Sequence, residues 1–144
     1  MNRMRALLVG AALATVAAVA PAAQASASPA SPMGAPERCQ SGYFCAYTQT
    51  NGNGAICSFA GDSVDMDGPG GCQNKVESVY NNGINDPGYN NVAMYYLPGH
   101  HDGCWAALGL GDYYLDLSKN TFNHGANGGC GQLLWNNIAS MRWY

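Results

Sequence analysis

Charge is scarce in this chain: only 10% of its 144 residues are Asp, Glu, Lys or Arg, and six of those are basic. Two of the six, Arg3 and Arg5, sit at the extreme N-terminus. Residues 28–144 therefore carry four basic side chains (Arg38, Lys75, Lys119, Arg142) against nine acidic ones, a formal charge of −5. Such a surface attracts neither a nucleic-acid backbone nor an anionic membrane, and neither is expected as a partner. No C-x2-C pair occurs and the histidines are not spaced as ligands, which argues against structural zinc. H-E-x-x-H, G-x-S-x-G and Cys–His nucleophile patterns are missing too. His100-His101-Asp102 with His124 reads as Gly-flanked surface, and Asp62, Asp65 and Asp67 as a solvated charge cluster. The chain is read as a non-enzyme.

Long apolar runs are limited to one. Residues 6–20 hold no charge and follow Arg3 and Arg5; Pro21 breaks the run, and Ala25-Ser26-Ala27 fits the small-x-small signal-peptidase site. Fifteen residues rise about 22 Å as a helix, short of the roughly 30 Å core of a bilayer. Residues 1–27 are therefore expected to be an export signal and the remainder a secreted, extracellular protein with no membrane contact. Residues 28–38, rich in Ser, Ala and Pro at their start, are expected to be a flexible tail, with one folded domain over 39–144.

Cysteine is well supplied. Cys39, Cys45, Cys57, Cys72, Cys104 and Cys130 all follow the signal, and an even count in a short exported chain reads as a disulfide framework. Glycine and asparagine recur every few residues, as in Asn51-Gly52-Asn53-Gly54 and Asn127-Gly128-Gly129, leaving no room for ordinary helices. The intervening segments, 43–48, 76–80, 92–97, 113–117 and 138–144, are aromatic or β-branched. They are strand signals at the spacing of an all-β sandwich.

The two halves repeat. Tyr47 is followed seven residues later by Gly54 and then by the block Gln73-Asn74-Lys75-Val76-Glu77-Ser78-Val79-Tyr80. Tyr96 is followed seven residues later by Gly103 and then by Asn136-Asn137-Ile138-Ala139-Ser140-Met141-Arg142-Trp143. A Gly, Pro and Asn-rich connector, residues 81–91, lies between. The Tyr-x6-Gly hairpin with its later Asn-rich step ending in Ser resembles the Greek-key motif of the βγ-crystallin superfamily. Cys39-Gln-Ser-Gly-Tyr-Phe-Cys45-Ala-Tyr47 and Asn74-Lys-Val-Glu-Ser-Val-Tyr-Asn-Asn82 resemble, more narrowly, exported actinobacterial proteins of peptidase inhibitor family I36, the Streptomyces metalloproteinase inhibitor type. The resemblance implies a disulfide-stabilised, βγ-crystallin-like sandwich of two Greek-key motifs, over 39–82 and 92–144.

Six cysteines allow fifteen pairings. The repeat favours Cys57 with Cys72 and Cys104 with Cys130, which leaves Cys39 and Cys45 to pair locally. The resemblance further implies a monomer that blocks an extracellular, thermolysin-like metalloendopeptidase through a rigid, substrate-like loop. The family's reactive bond is of the form Cys-hydrophobic, and Cys104-Trp105 is the pair with a large apolar residue after a cysteine. The competing view makes Trp105 a core aromatic on a strand. No cofactor is required on this reading. The alternative is a calcium-binding or envelope-associated crystallin-like protein without a protease target. Its cation ligands would be Asn136, Asn137 and Ser140 in the second copy, with Met141 replacing a final Ser. In the first they would be Asn74, Glu77 and Ser78, with Glu77 replacing a ligand Ser. Calcium takes six to eight oxygens, although Asn and Ser at such places also fold β-corners through backbone hydrogen bonds.

Overall fold

The computed structural model describes residues 38–67, 71–100 and 103–144. The expected export signal, nearly all of the expected tail, and His101 and Asp102 lie outside the described residues. Among the described residues seven strands form: β1 (Tyr43–Tyr47), β2 (Ile56–Phe59), β3 (Ser78–Asn82), β4 (Val92–Tyr95), β5 (Trp105–Leu108), β6 (Tyr113–Tyr114) and β7 (Ser140–Trp143). They make a four-stranded sheet in the order β2-β1-β3-β6 and a three-stranded sheet in the order β5-β4-β7. All pairings are antiparallel. The domain is the all-β, disulfide-stabilised sandwich that the strand spacing, the cysteine count and the family resemblance implied.

Each motif begins with a hairpin whose first strand is then flanked by the motif's last strand. In the first, Tyr47 faces Ile56 on β2 and Ser78 on β3. In the second, Tyr95 faces Trp105 on β5 and Ser140 on β7. The motifs then exchange their third segments: β6 adds to β3, pairing Tyr114 with Val79, while Ser63 bridges to Met141 on β7. Each sheet is thus built from both motifs, which is the Greek-key interlock.

This register corrects the repeat as read from the letters. The second-motif counterpart of Tyr47 is Tyr95, not Tyr96, and that of Ser78 is Ser140, not Met141. Ser78 Oγ donates to Gln49 O (2.7 Å) and accepts from Gly52 N (3.0 Å). Ser140 Oγ donates to Leu97 O (2.7 Å) and accepts from His100 N (3.4 Å). Both serines are fully buried and each ties the loop of its hairpin to the closing strand. Hydrogen-bonding role, rather than letter spacing, decides equivalence. The asparagines agree: Asn74 (φ 53°) and Asn136 (φ 55°) both take the left-handed region that Asn tolerates. Asn74 N donates to Ile138 O (3.0 Å) and Asn136 N to Val76 O (2.9 Å), a reciprocal pair across the pseudo-twofold.

Between the sheets lies the core, made by one alternating face of each strand: Phe44, Ala46 and Val79 from one sheet, Val92, Met94, Ala106, Leu108 and Met141 from the other. Met66, Val76, Phe122, Leu134 and Ile138 fill its ends. Burial of these side chains drives the collapse, at roughly 25 cal/mol per Å² of apolar surface. A second, smaller cluster of Cys39, Cys45 and Tyr47 lies on the outer face of the four-stranded sheet, flanked by Tyr43, Ile56, Tyr80 and Leu115. Asn81 is also fully buried. Its Nδ2 donates to Asn90 O (3.0 Å) and Leu108 O (3.1 Å) and its Oδ1 accepts from Gly83 N (3.0 Å), which closes the connector against the second motif.

Three disulfides are present: Cys39–Cys45, Cys57–Cys72 and Cys104–Cys130, with Cα–Cα separations of 5.8, 6.2 and 5.0 Å. Two strands, β2 and β5, fall where no strand signal was read.

Candidate functional site

Cys104 and Trp105 lie at the start of β5, the former fully buried and the latter half-buried. The amide that joins them is pinned on both sides. Tyr96 N donates to Cys104 O (3.0 Å) and Trp105 N donates to His124 O (2.9 Å). Cys104 N donates to Gly128 O (2.8 Å), and Trp105 O accepts from Asn123 N (3.2 Å) and His124 N (3.0 Å). Residues 123–128 therefore run along the outer edge of β5 as an irregular strap, and the Cys104–Cys130 disulfide anchors the strap just beyond them. The Cys104-Trp105 bond occupies a braced strand edge, not a protruding loop.

Strand alternation sends Tyr95 and Trp105 to the outer face of their sheet. Their rings lie 6.3 Å apart, and three further rings extend the row. His124 stacks on Trp105 at 4.4 Å, Tyr144 meets Trp105 edge-on at 5.6 Å, and His100 lies 5.5 Å from Tyr95. His100 Nε2 donates to Ser63 O (2.8 Å), which fixes its tautomer and ties the turn to the first motif. Burial, and then the nearby Tyr95, raise the Tyr144 hydroxyl pKa above its ordinary value. The two described histidines thus serve as ring neighbours of the aromatic row, about which the letters said nothing.

The residues considered for calcium fall at the two β-corners. With the corrected register, the position that Glu77 holds in the first corner is Ala139 in the second, and Ala139 has no side-chain oxygen. Ser78 and Ser140 already spend their hydroxyls on the hairpin loops. Asn137 Nδ2 donates to Leu133 O (2.9 Å). The Asn136 amide, oriented to satisfy both its groups, donates to Lys75 O (3.1 Å) and accepts from Trp135 Nε1 (2.9 Å). Glu77 is half-buried and its backbone joins Tyr47 to Leu117, while Asn74 is exposed. Among the described residues no group of three or more His, Cys, Asp and Glu side chains is placed to hold a metal ion. In the acidic trio, Asp62 Oδ1 accepts from Trp143 N (2.8 Å) and Asp65 Oδ1 from Asp67 N (2.9 Å), so both carboxylates shape local backbone.

Three solved structures share the architecture. One, concerned with the evolution of the eye-lens βγ-crystallin domain fold, matches with a TM-score of 0.52 at 20% identity, over 72% of this chain and 87% of that one. A βγ-crystallin from Ciona intestinalis matches with a TM-score of 0.50 at 13% identity, over 72% of this chain and 100% of that one. An archaeal βγ-crystallin matches with a TM-score of 0.50 at 15% identity, over 73% of this chain and 100% of that one. At these identities the likeness shows the fold. No curated protein matches the chain. Three disulfides fit an extracellular protein, and no described helix is long and apolar enough to cross a membrane. The profile of peptidase inhibitor family I36 matches residues 33–108, just over half of the sequence and ending at the last residue of β5. The chain therefore belongs to peptidase inhibitor family I36, carried on a βγ-crystallin fold.

Proposed function

We propose that this protein is exported and inhibits an extracellular, thermolysin-like metalloendopeptidase, presenting the Cys104-Trp105 strand edge to the enzyme's cleft. The carrying observation is the family match over residues 33–108, which takes in the whole β4–β5 hairpin and that bond. Thermolysin-like enzymes favour a bulky apolar residue after the scissile bond, and Trp105 supplies one on a half-open outer face. An already extended, hydrogen-bonded strand loses little conformational freedom on docking, which favours tight binding. A cut at this bond would leave both ends held, the first through Cys104–Cys130 and the second through β4. To engage the edge, the enzyme takes the place of the strap at residues 123–128, so the onset of inhibition is slow. The target is bound, not processed, and the protein acts as a ligand rather than a catalyst.

Titration of thermolysin with the purified protein tests this reading. The expected result is stoichiometric inhibition, abolished by Trp105→Gly and retained by Tyr89→Gly, which alters an aromatic side chain 60% exposed elsewhere on the surface. Unchanged proteolysis at excess protein contradicts it. Calcium is a second, separate proposal, and the first corner is the better place for it, because Glu77 offers a carboxylate where Ala139 offers none. A calcium-dependent rise in melting temperature, lost in Glu77→Gln, is the expected sign.

A further inference from the structure

A polar cleft of about 360 Å³ opens beside β5, where the long insertion of the second motif folds back over the sheet. Its floor is apolar and small, made by Ala106, Ala107 and Leu134. Its walls carry Asn120, Thr121, Asn123 and His124. The backbones of these four are held in place. Asn120 N bonds to Leu117 O and Asn120 O to Leu134 N, Thr121 bridges to Leu133, and Asn123 and His124 both bond to Trp105 O. Their side chains make no hydrogen bond to any described residue, while His124 is fixed by its stack on Trp105. Four residues with polar side chains thus line one hollow on a rigid frame, and those side chains are free to meet a ligand.

The chemistry of the walls selects the ligand. Amides and hydroxyls both donate and accept, which matches ligand hydroxyls, whereas a carboxylate or phosphate only accepts. Among the described residues the cleft's one formal cation, Lys119, is already paired with Asp116 at 3.0 Å, and none of its lining residues is a carboxylate. A charged ligand therefore finds no free countercharge. The His124 imidazole and the Trp105 indole behind it give a flat wall suited to the apolar face of a sugar ring. The volume lies in the range of small-ligand clefts, roughly 300–1,000 Å³. We infer that this cleft binds a neutral saccharide, with Asn120 and Asn123 reading its hydroxyls and His124 its ring face. The cleft adjoins the proposed inhibitory edge and shares Asn123 and His124 of the strap with it, yet saccharide binding does not rest on that reading and is tested on the protein alone.

The test uses two probes, chitotetraose and cellotetraose, titrated to millimolar concentration into isotope-labelled protein and followed by backbone amide shifts. The expected result with at least one probe is saturable change confined to residues 105–107 and 119–124, with quenching or enhancement of Trp105 fluorescence. Asn120→Ala and Asn123→Ala, the first half-buried and the second exposed and neither side chain bonded to a described residue, should keep the melting temperature and weaken binding about five- to tenfold each, as the loss of one hydrogen bond predicts. Absence of saturable shifts with both sugars overturns the inference. So do shifts that map elsewhere, binding indifferent to both substitutions, or the same shifts produced by inorganic phosphate and by neither sugar.

Discussion

The outer faces of the two sheets carry equivalent residues in unequal surroundings. Tyr47 and Ile56 face each other across β1 and β2, as Tyr95 and Trp105 do across β4 and β5. In the first motif the face is sealed: Tyr47 is 0% exposed, packed with Cys39 and Cys45. Arg38 seals it further, its guanidinium 5.7 Å from the Tyr47 ring centroid and donating to Gly52 O and Gly54 O at 2.9 Å each. In the second motif no such plug is seen among the described residues, and Tyr95 and Trp105 stay half-buried beside imidazole and phenol rings. One scaffold position is buried in one copy and half-open to solvent in the other. The Cys39–Cys45 loop is the device that makes the difference.

Substitution of the paired aromatics should separate the faces most strongly. Tyr47→Ala should cost about 3–5 kcal/mol, in line with other buried aromatics, whereas Tyr95→Ala should cost far less because its ring is already half in water. Urea unfolding of both variants checks this, and equal losses would erase the distinction. The same tyrosine carries a pH signature. Burial raises the Tyr47 hydroxyl pKa from 10.0 to about 12, against a smaller opposing pull from Arg38. The folded state thus holds the proton more tightly than the unfolded chain does. The resulting stability is fully present below pH 10 and is lost as pH rises through about 12. Tyr47→Phe should flatten that alkaline loss in a pH series of melting temperatures.

Below the level of the faces, the two copies are built alike, and the corner serines should show it. Ser78→Ala and Ser140→Ala each strand a buried loop donor and acceptor and should each cost about 1–3 kcal/mol. Ser78 should lie at the upper end, its bonds being 3.0 and 2.7 Å against 3.4 and 2.7 Å. A null effect at Ser140 would refute the corrected register. The smallest change is expected at the first corner asparagine, where Asn74→Ala should cost about 1 kcal/mol for the left-handed backbone and Asn74→Gly should recover it, whereas Asn136→Gly should not recover fully because the Asn136 amide also bonds Lys75 O and Trp135 Nε1. Thermal unfolding of these variants resolves the series.

Much of this was legible in the letters, and the misreadings have local causes. The Gly and Asn punctuation, the even cysteine count and the recurring Tyr, Asn and Ser sufficed for two similar, disulfide-framed β units, and the resemblance to the βγ-crystallin superfamily supplied the Greek-key topology. The register slipped by one because both anchors of the second copy are doublets. Tyr95-Tyr96 and Asn136-Asn137 each offer two choices, and only hydrogen bonding selects one. Strand β2, Ile56-Cys57-Ser58-Phe59, and strand β5, Trp105-Ala106-Ala107-Leu108, escaped notice because Cys, Ser and Ala carry little β signal. The Cys104–Cys130 pairing was readable from the repeat, but the path of residues 123–128 along the edge of β5 is set by long-range backbone hydrogen bonds that local pattern does not reveal. The polar cleft is hidden for the same reason, since Asn120, Thr121 and Asn123 read as ordinary loop residues until Leu134 folds beneath them.

The central claim is that the open face of the second hairpin, and not its sealed twin, meets the enzyme. Hydrogen exchange of the protein alone and in complex with thermolysin tests it most directly. The account predicts altered exchange at residues 103–108 and 123–128 and unchanged exchange at residues 43–47 and 56–59. Failure to form a complex, or protection centred on the first hairpin, would contradict it.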